Sequence, residues 1–229
     1  FLSKVYFQKN DFANCINWSD QIINSGQFSL NSTVNEIYNV SGWNFSNETI
    51  FQIINIPEDN SNGTLTGRLK SNAVTYSSRF SDAISNQNDL RSSNLYTFLS
   101  VPYLKKYSNT AMNITVVRFA EILLSRAESK LMLDYPHEFV FEDINLLIER
   151  AGLISDDTCD DHDELLTLIR QQRKIELGFE GDRFHEVKRH KGTFESELGT
   201  FEWNDPKLIY PIPQQEMDQN DYMIQNPTY

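Results

Sequence analysis

The chain has 229 residues, 39% hydrophobic and 12% aromatic, which is enough for one large domain or two small ones with a real core. Its 32 Asp and Glu against 20 Lys and Arg leave a net charge of −12, which repels phosphate backbones and anionic lipid heads and argues against nucleic acid as a partner. The most apolar stretch, Val116 to Leu124, is interrupted by Arg118 and Glu121, well short of the ~18 residues a spanning helix needs.

The first elements read as a helical hairpin over residues 1–30. Leu2, Val5 and Tyr6 share one helical face, Lys9 to Asp11 form a turn, Phe12, Cys15, Ile16, Ile22 and Ile23 recur at helical spacing, and Gly26 stands where a C-terminal cap belongs. The pair resembles one tetratricopeptide unit. The opening has no Met, no basic leader and no capping residue, so the expectation is a fragment or processed chain that starts inside a helix. Ala13 and Asn14 before Cys15 are not the small apolar run that precedes a lipidated cysteine, so any anchor is expected upstream. Two cysteines, Cys15 and Cys159, are too few for a disulfide framework or a cysteine-rich zinc site, and one bridge between them stays open.

From 31 to 113 the composition turns to Asn, Ser, Thr and Gly with scattered rings, and only Thr49 to Ile56 reads as a strand. This segment is expected to be irregular yet ordered, because Trp43, Phe45, Phe51, Tyr76, Phe80, Tyr96, Phe98 and Tyr103 are too many rings for disorder. Its Asn44-Phe45-Ser46 and Asn62-Gly63-Thr64 sequons carry meaning only in a secreted eukaryotic protein. In residues 114–229, Val116, Phe119, Ala120, Leu123, Ala127 and Leu131 predict a helix that Pro136 ends. Phe139 to Ala151 predicts an antiparallel helix closed by Gly152, and a third helix runs from about Leu165 to His190. Pro206, Pro211, Pro213 and Pro227 make the tail extended, apart from a turn at Gln214 to Asp218. The fold class is mainly α.

The charged constellations read as structural. Glu176 and Glu180 have Arg173 and Arg183 at helical spacing, the pattern of intrahelical ion pairs rather than of an acid and base pair. His185 and His190 are five apart and share no helix face, so no metal site is expected from them. Asp156, Asp157, Asp160, Asp161 and Asp163 hold enough oxygen for calcium but lack the turn glycine and terminal glutamate of an EF-hand, and charge stabilisation at a helix start explains them more cheaply. No cofactor is expected, with calcium kept as the alternative. No phosphate-binding glycine loop or Gly-x-Ser-x-Gly elbow occurs.

The rings of the irregular segment carry more. Sugar C–H faces stack on Trp and Tyr while Asn takes hydroxyls, so Trp43 in its Gly42-Trp43-Asn44 loop is the leading ligand residue, with Asn44, Tyr76 and Tyr96 beside it. The alternative, that Trp43 folds inward over the hairpin, stays open. Trp18 is assigned to the core and Trp203 to packing of the tail. Tyr103 is a weaker candidate of the same kind.

Three strings in the C-terminal half carry a resemblance: Val117-Arg118-Phe119-Ala120-Glu121-Ile122-Leu123-Leu124 with Arg126-Ala127-Glu128; Gln172-Arg173-Lys174-Ile175-Glu176-Leu177-Gly178-Phe179-Glu180-Gly181 with Arg183-Phe184 and Lys188-Arg189; and Tyr210-Pro211-Ile212-Pro213 with Glu216 and Gln225-Asn226-Pro227. In this order, with Ile144-Asn145 and Arg150 to Leu153 between them, they are similar to the SusD/RagB family. The resemblance implies a lipid-anchored outer-membrane protein, exposed at the cell surface, that binds oligosaccharide or polysaccharide and delivers it to a TonB-dependent SusC-like transporter. It implies a nutrient binder and not an enzyme, with tetratricopeptide-type helical hairpins. Glu186, Asp182 and Thr228 depart from the family pattern, and a typical member is about twice this length. An upstream part would carry the lipid site and part of the ligand platform. The matched strings bring no ligand residue onto this chain. The competing reading is a tetratricopeptide-type scaffold whose groove takes a peptide.

Overall fold

The structure, a computed structural model, describes residues 1–56, 58, 77–97, 103–155, 157–196 and 199–229. The chain divides into two compact units, Phe1–Glu180 and Gly181–Tyr229. Helices dominate the first, and among the described residues no helix is long and apolar enough to cross a membrane.

The first unit opens with α1 (Leu2–Gln8) and α2 (Phe12–Asn24), joined at Asp11, whose carboxylate caps α2 by accepting from the Asn14 amide at 3.3 Å. The hairpin is as expected but its packing face is not. α1 buries Ser3 and Phe7, and leaves Leu2 and Val5 exposed. The cause is close approach: the Ser3 and Ser19 hydroxyls bond to each other at 2.7 Å, which only small residues allow, and the Phe7 ring takes the Arg173 guanidinium at 4.9 Å. Cys15 is buried beside them and donates to Ser125 O, while Trp18 is half-buried. Both cysteines are free thiols.

Strand β1 (Thr49–Ile53) pairs antiparallel with β4 (Ile114–Arg118), Thr49 opposite Arg118 and Ile53 opposite Ile114. Val116 therefore lies in a strand and not at the head of a helix, because the branched run Ile114 to Val117 is stiff at χ1 and favours extended backbone. Helix α5 (Phe119–Met132) follows directly and is buried nearly all round. Toward its start, Phe119, Ala120, Leu123 and Leu124 meet Leu147 and Leu177. Toward its end, Ala127 and Leu131 meet Val140, Phe141, Ile144, Leu165 and Ile169. The opposing residues come from α6 (His137–Arg150), closed by Gly152 at φ +76°, and from α7 (His162–Glu176). Asp161 caps α7, accepting from the Asp163 and Glu164 amides at 2.9 Å each, which gives one member of the acidic run a local structural task.

The helix expected from Leu165 to His190 is two helices. α7 stops at Glu176, and Phe179 at φ +65° and Gly181 at φ +82° turn the chain through left-handed backbone. Gly178 is required at this break, since a Cβ there would sit 2.7 Å from both the Phe80 ring and the Tyr96 hydroxyl.

Residues 31–113 are less irregular than their composition suggests. They hold two short helices, α3 (Ser78–Ala83) and α4 (Leu90–Leu95), and a two-stranded pair of β2 (Tyr96–Thr97) with β3 (Tyr103–Leu104). They also build a core of their own from Val34, Ile37, Tyr38, Phe80, Leu95 and Tyr96, among others, packed on Ile175 of α7.

The second unit contains α8 (Asp182–Arg189), a hairpin of β5 (Thr193–Ser196) with β6 (Gly199–Glu202), a 3-10 turn at Pro206–Leu208 and α9 (Gln214–Gln219). The tail is folded back by Gln225, whose side-chain amide donates to Ile212 O and accepts from Ile212 N at 2.9 Å each. Trp203 is half-buried with Lys191 Nζ 5.6 Å over its ring.

A buried charge network ties the first unit together. Arg118 bonds Glu48 and Glu176 through Nη1 at 2.7 Å each, and Glu180 through Nε at 2.8 Å. Arg150 reaches Glu48 and Glu176, and Arg91 reaches Asp89, Gln172 and Glu176. Lys106 Nζ donates to Glu180 at 2.7 Å and to the carbonyls of Glu176 and Gly178. The expected partners are exchanged: Glu176 is paired across the fold with Arg91, Arg118 and Arg150, Arg173 stands 3.7 Å from Glu121, and Arg183 bonds Glu186 at 2.6 Å. Burial works against ionising Glu176, but Arg150, Arg118 and Arg91 together hold its carboxyl well below the usual range. For Glu180 burial is likewise overcome by Arg118 and Lys106, and the carboxyl is held down at about 2.

Two outcomes follow from these pairings. Arg118→Met leaves Glu48, Glu176 and Glu180 one cation short within a buried cluster and is expected to cost about 3–5 kcal/mol in urea unfolding; a loss near zero would show the network to be dispensable. A carboxyl whose folded value lies below its ordinary 4.5 binds its proton more weakly when folded, so its contribution is complete above pH 4.5 and drains away as pH falls toward 2. The urea midpoint of the wild type should fall through that window, and that of Glu180→Gln should fall less steeply.

Candidate functional site

The turn around Trp43 is built by backbone pairing on one side and amide side chains on the other. Ser41 bridges Met112 in antiparallel fashion, and the Asn113 amide donates to Val40 O at 2.8 Å. Gly42 takes φ +58°, with open space where a Cβ would stand, so left-handed backbone rather than crowding calls for glycine there. Asn113 Nδ2 donates to Gly42 O at 2.9 Å, and Gln52 Nε2 donates to Asn44 O at 2.9 Å. Asn113 Oδ1 in turn accepts from the Asn55 amide at 2.9 Å, which ties the turn to the end of β1.

The result is a fixed turn that presents rings outward. Trp43 is 77% exposed and Phe45, two residues on, is 66% exposed. Of the two orientations left open by the sequence, the outward one is adopted. Asn44 is exposed, and one of its amide hydrogens is spent on Ser41 O at 2.9 Å. Phe45 was not among the expected ligand residues. Its place two residues after Trp43, in the same polar loop, was the signal for it.

Tyr96 does not join this surface. It is fully buried, its ring meets Phe80 edge-on at 5.1 Å, and its hydroxyl donates to Ile175 O at 2.8 Å. Burial, above all, pushes that hydroxyl well above its ordinary value and keeps it a donor. A ring with no exposed face stacks on no ligand, so Tyr96 is corrected to a core residue. Tyr76, Phe98 and the second sequon lie outside the described residues, as do the backbone neighbours of Tyr103 at 98–102. Glu176 and Glu180 are engaged by cations and held ionised, so neither keeps a proton for general acid work. Among the described residues no three His, Cys, Asp or Glu side chains are grouped to hold a metal ion.

Trp43→Ala removes an exposed ring and should change unfolding free energy by about 0.5 kcal/mol or less. A loss of several kcal/mol in urea unfolding would place the ring in the core.

The model of the SusD family matches residues 37–205. Among solved structures, a SusD superfamily protein from Bacteroides thetaiotaomicron VPI-5482 aligns with 99% of this chain and 59% of its own, at 22% identity and a TM-score of 0.79. Surface glycan-binding protein A from Bacteroides uniformis aligns with 98% of this chain and 59% of its own, at 19% identity and 0.71. Surface glycan-binding protein A from Bacteroides thetaiotaomicron gives 98% and 62%, at 21% and 0.68. These identities speak to the fold, and the chain spans about three-fifths of the length of the structures it matches. No curated protein matches the chain. Since the family match covers well over half of the sequence, the chain belongs to the SusD family.

Proposed function

We propose that the chain captures oligosaccharide at the cell surface and passes it to a TonB-dependent SusC-like transporter in the outer membrane, as part of a lipid-anchored nutrient-binding protein. The observation that carries this reading is the exposed Trp43 and Phe45 pair on a turn pinned by Asn113 and Gln52. A flat ring carried on a fixed turn outside the core offers stacking area to a sugar face, and a side chain with two χ angles has little entropy to lose. Two of the structural neighbours are named as surface glycan-binding proteins, which supports the same class of ligand. The reading calls on no catalytic residue and no cofactor.

One stacking platform with a few hydrogen bonds that compete with water corresponds to millimolar to micromolar affinity, on the order of −4 to −8 kcal/mol. Such capture is reversible, as handover to a transporter requires. The test is a glycan array followed by titration of the best neutral oligosaccharide against tryptophan fluorescence. Wild type should bind in that range, and Trp43→Ala should weaken binding about tenfold, the equivalent of ~1.4 kcal/mol. Unchanged affinity in the folded variant would remove Trp43 from the site. Capture of peptides and of no glycan would favour the helical scaffold reading.

A further inference from the structure

The segment between β1 and β4 carries a feature that shares no residue with the Trp43 turn. The end of α3, helix α4 and the turn at Lys105–Tyr107 enclose an open cavity of about 540 Å³, within the range that small-molecule sites occupy. Ile84 supplies an apolar wall, and Gln87, Ser92, Ser93 and Lys105 bring polar groups to it. Ser92 is 95% buried, being 5% exposed, and its Oγ has no hydrogen-bond partner. A buried hydroxyl left unpaired is costly, by about 1–3 kcal/mol, and is uncommon unless something else occupies the site. Lys105 is exposed and donates to Ser93 O at 2.8 Å, which holds its ammonium at the cavity and leaves two of its protons unassigned by that bond. Among the described residues no Asp or Glu lines the cavity, although acidic residues outnumber basic ones by 32 to 20 in the chain.

An unpaired buried hydroxyl, a neighbouring amide and serine, and an ammonium without a carboxylate beside it are complementary to a polyhydroxylated ligand that carries its own negative charge. The geometry points to a second carbohydrate subsite between α3, α4 and Lys105 that takes a uronic acid residue, its carboxylate on Lys105 and a ring hydroxyl on Ser92. This inference rests on the glycan-binding reading and specifies the sugar class. A charge-assisted contact of this kind distinguishes anionic from neutral sugars, because a neutral ring leaves Lys105 without its counter-charge.

Calorimetric titration of the full chain at low salt tests it, with trigalacturonate and the neutral galactotriose as the two probes. Wild type should bind trigalacturonate at least about tenfold more tightly than galactotriose, the scale of one charge-assisted hydrogen bond, and the preference should shrink as salt is raised. Lys105→Met should abolish the preference. Ser92→Ala should weaken trigalacturonate binding without lowering the melting temperature, since its hydroxyl has no partner among the described residues. Equal affinity for the two probes, no binding of trigalacturonate, or a preference that survives Lys105→Met would each overturn the subsite. If neutral glycans still bind through Trp43 in such a case, the subsite alone falls; if no glycan binds at all, the glycan-binding reading falls with it.

Discussion

Everything in the first unit is arranged around the need to satisfy Arg118. Its guanidinium is buried, so the carboxylates of Glu48 on one side and of Glu176 and Glu180 on the other must come to it from two places distant in the sequence. Arg91, Lys106 and Arg150 join as further cations and Asp89 as a further anion, which balances the charge within the cluster. Such a cluster adds little stability over an apolar core of equal volume, but any arrangement that leaves one member unpaired is strongly disfavoured. Its effect is on register: β1, α4, β4, α6 and α7 each contribute or flank a member, and each has one position that completes the set.

That constraint explains how a segment rich in Asn and Ser keeps a fixed shape. Lys106 donates to the end of α7, Tyr107 donates to Phe179 O and Tyr96 to Ile175 O, so the irregular stretch is fastened to the helix by polar bonds as well as by its own rings. With its inner residues committed in this way, the stretch is free to place others outward. The Trp43 turn and the cavity at Ser92 are both carried by this fastened segment, while α5 is spent almost wholly on packing.

What was legible in the sequence was local. The α1–α2 hairpin, α5 from Phe119 onward, α6 with its closing Gly152 and the turn at Gln214 could all be read from period and caps. The misreadings arose where tertiary partners decided the outcome. Spacing offers Glu176 only Arg173, whereas its partners Arg91, Arg118 and Arg150 stand far away in the chain. The apolar face of α1 read as Leu2, Val5 and Tyr6, yet the tight Ser3 to Ser19 contact turned Phe7 inward instead. The β5–β6 hairpin had a signal that went unused: Gly192-Thr193-Phe194-Glu195 recurs as Gly199-Thr200-Phe201-Glu202, and the two copies pair with Phe194 opposite Phe201. For the site, the composition around Trp43 pointed to an outward ring, but nothing local separated Trp43 from Tyr96, whose fate was set by Phe80 and Ile175.

The proposed function divides the labour between a charge-locked helical frame and a fastened irregular segment, and assigns the sugar to the second. Amide hydrogen exchange, with and without the tightest oligosaccharide from the glycan array, measures this directly. Added protection is expected over residues 40–56, 84–97 and 103–107, and none over α5 and α6. Protection centred on α5 and α6, with the Trp43 turn unchanged, would contradict it.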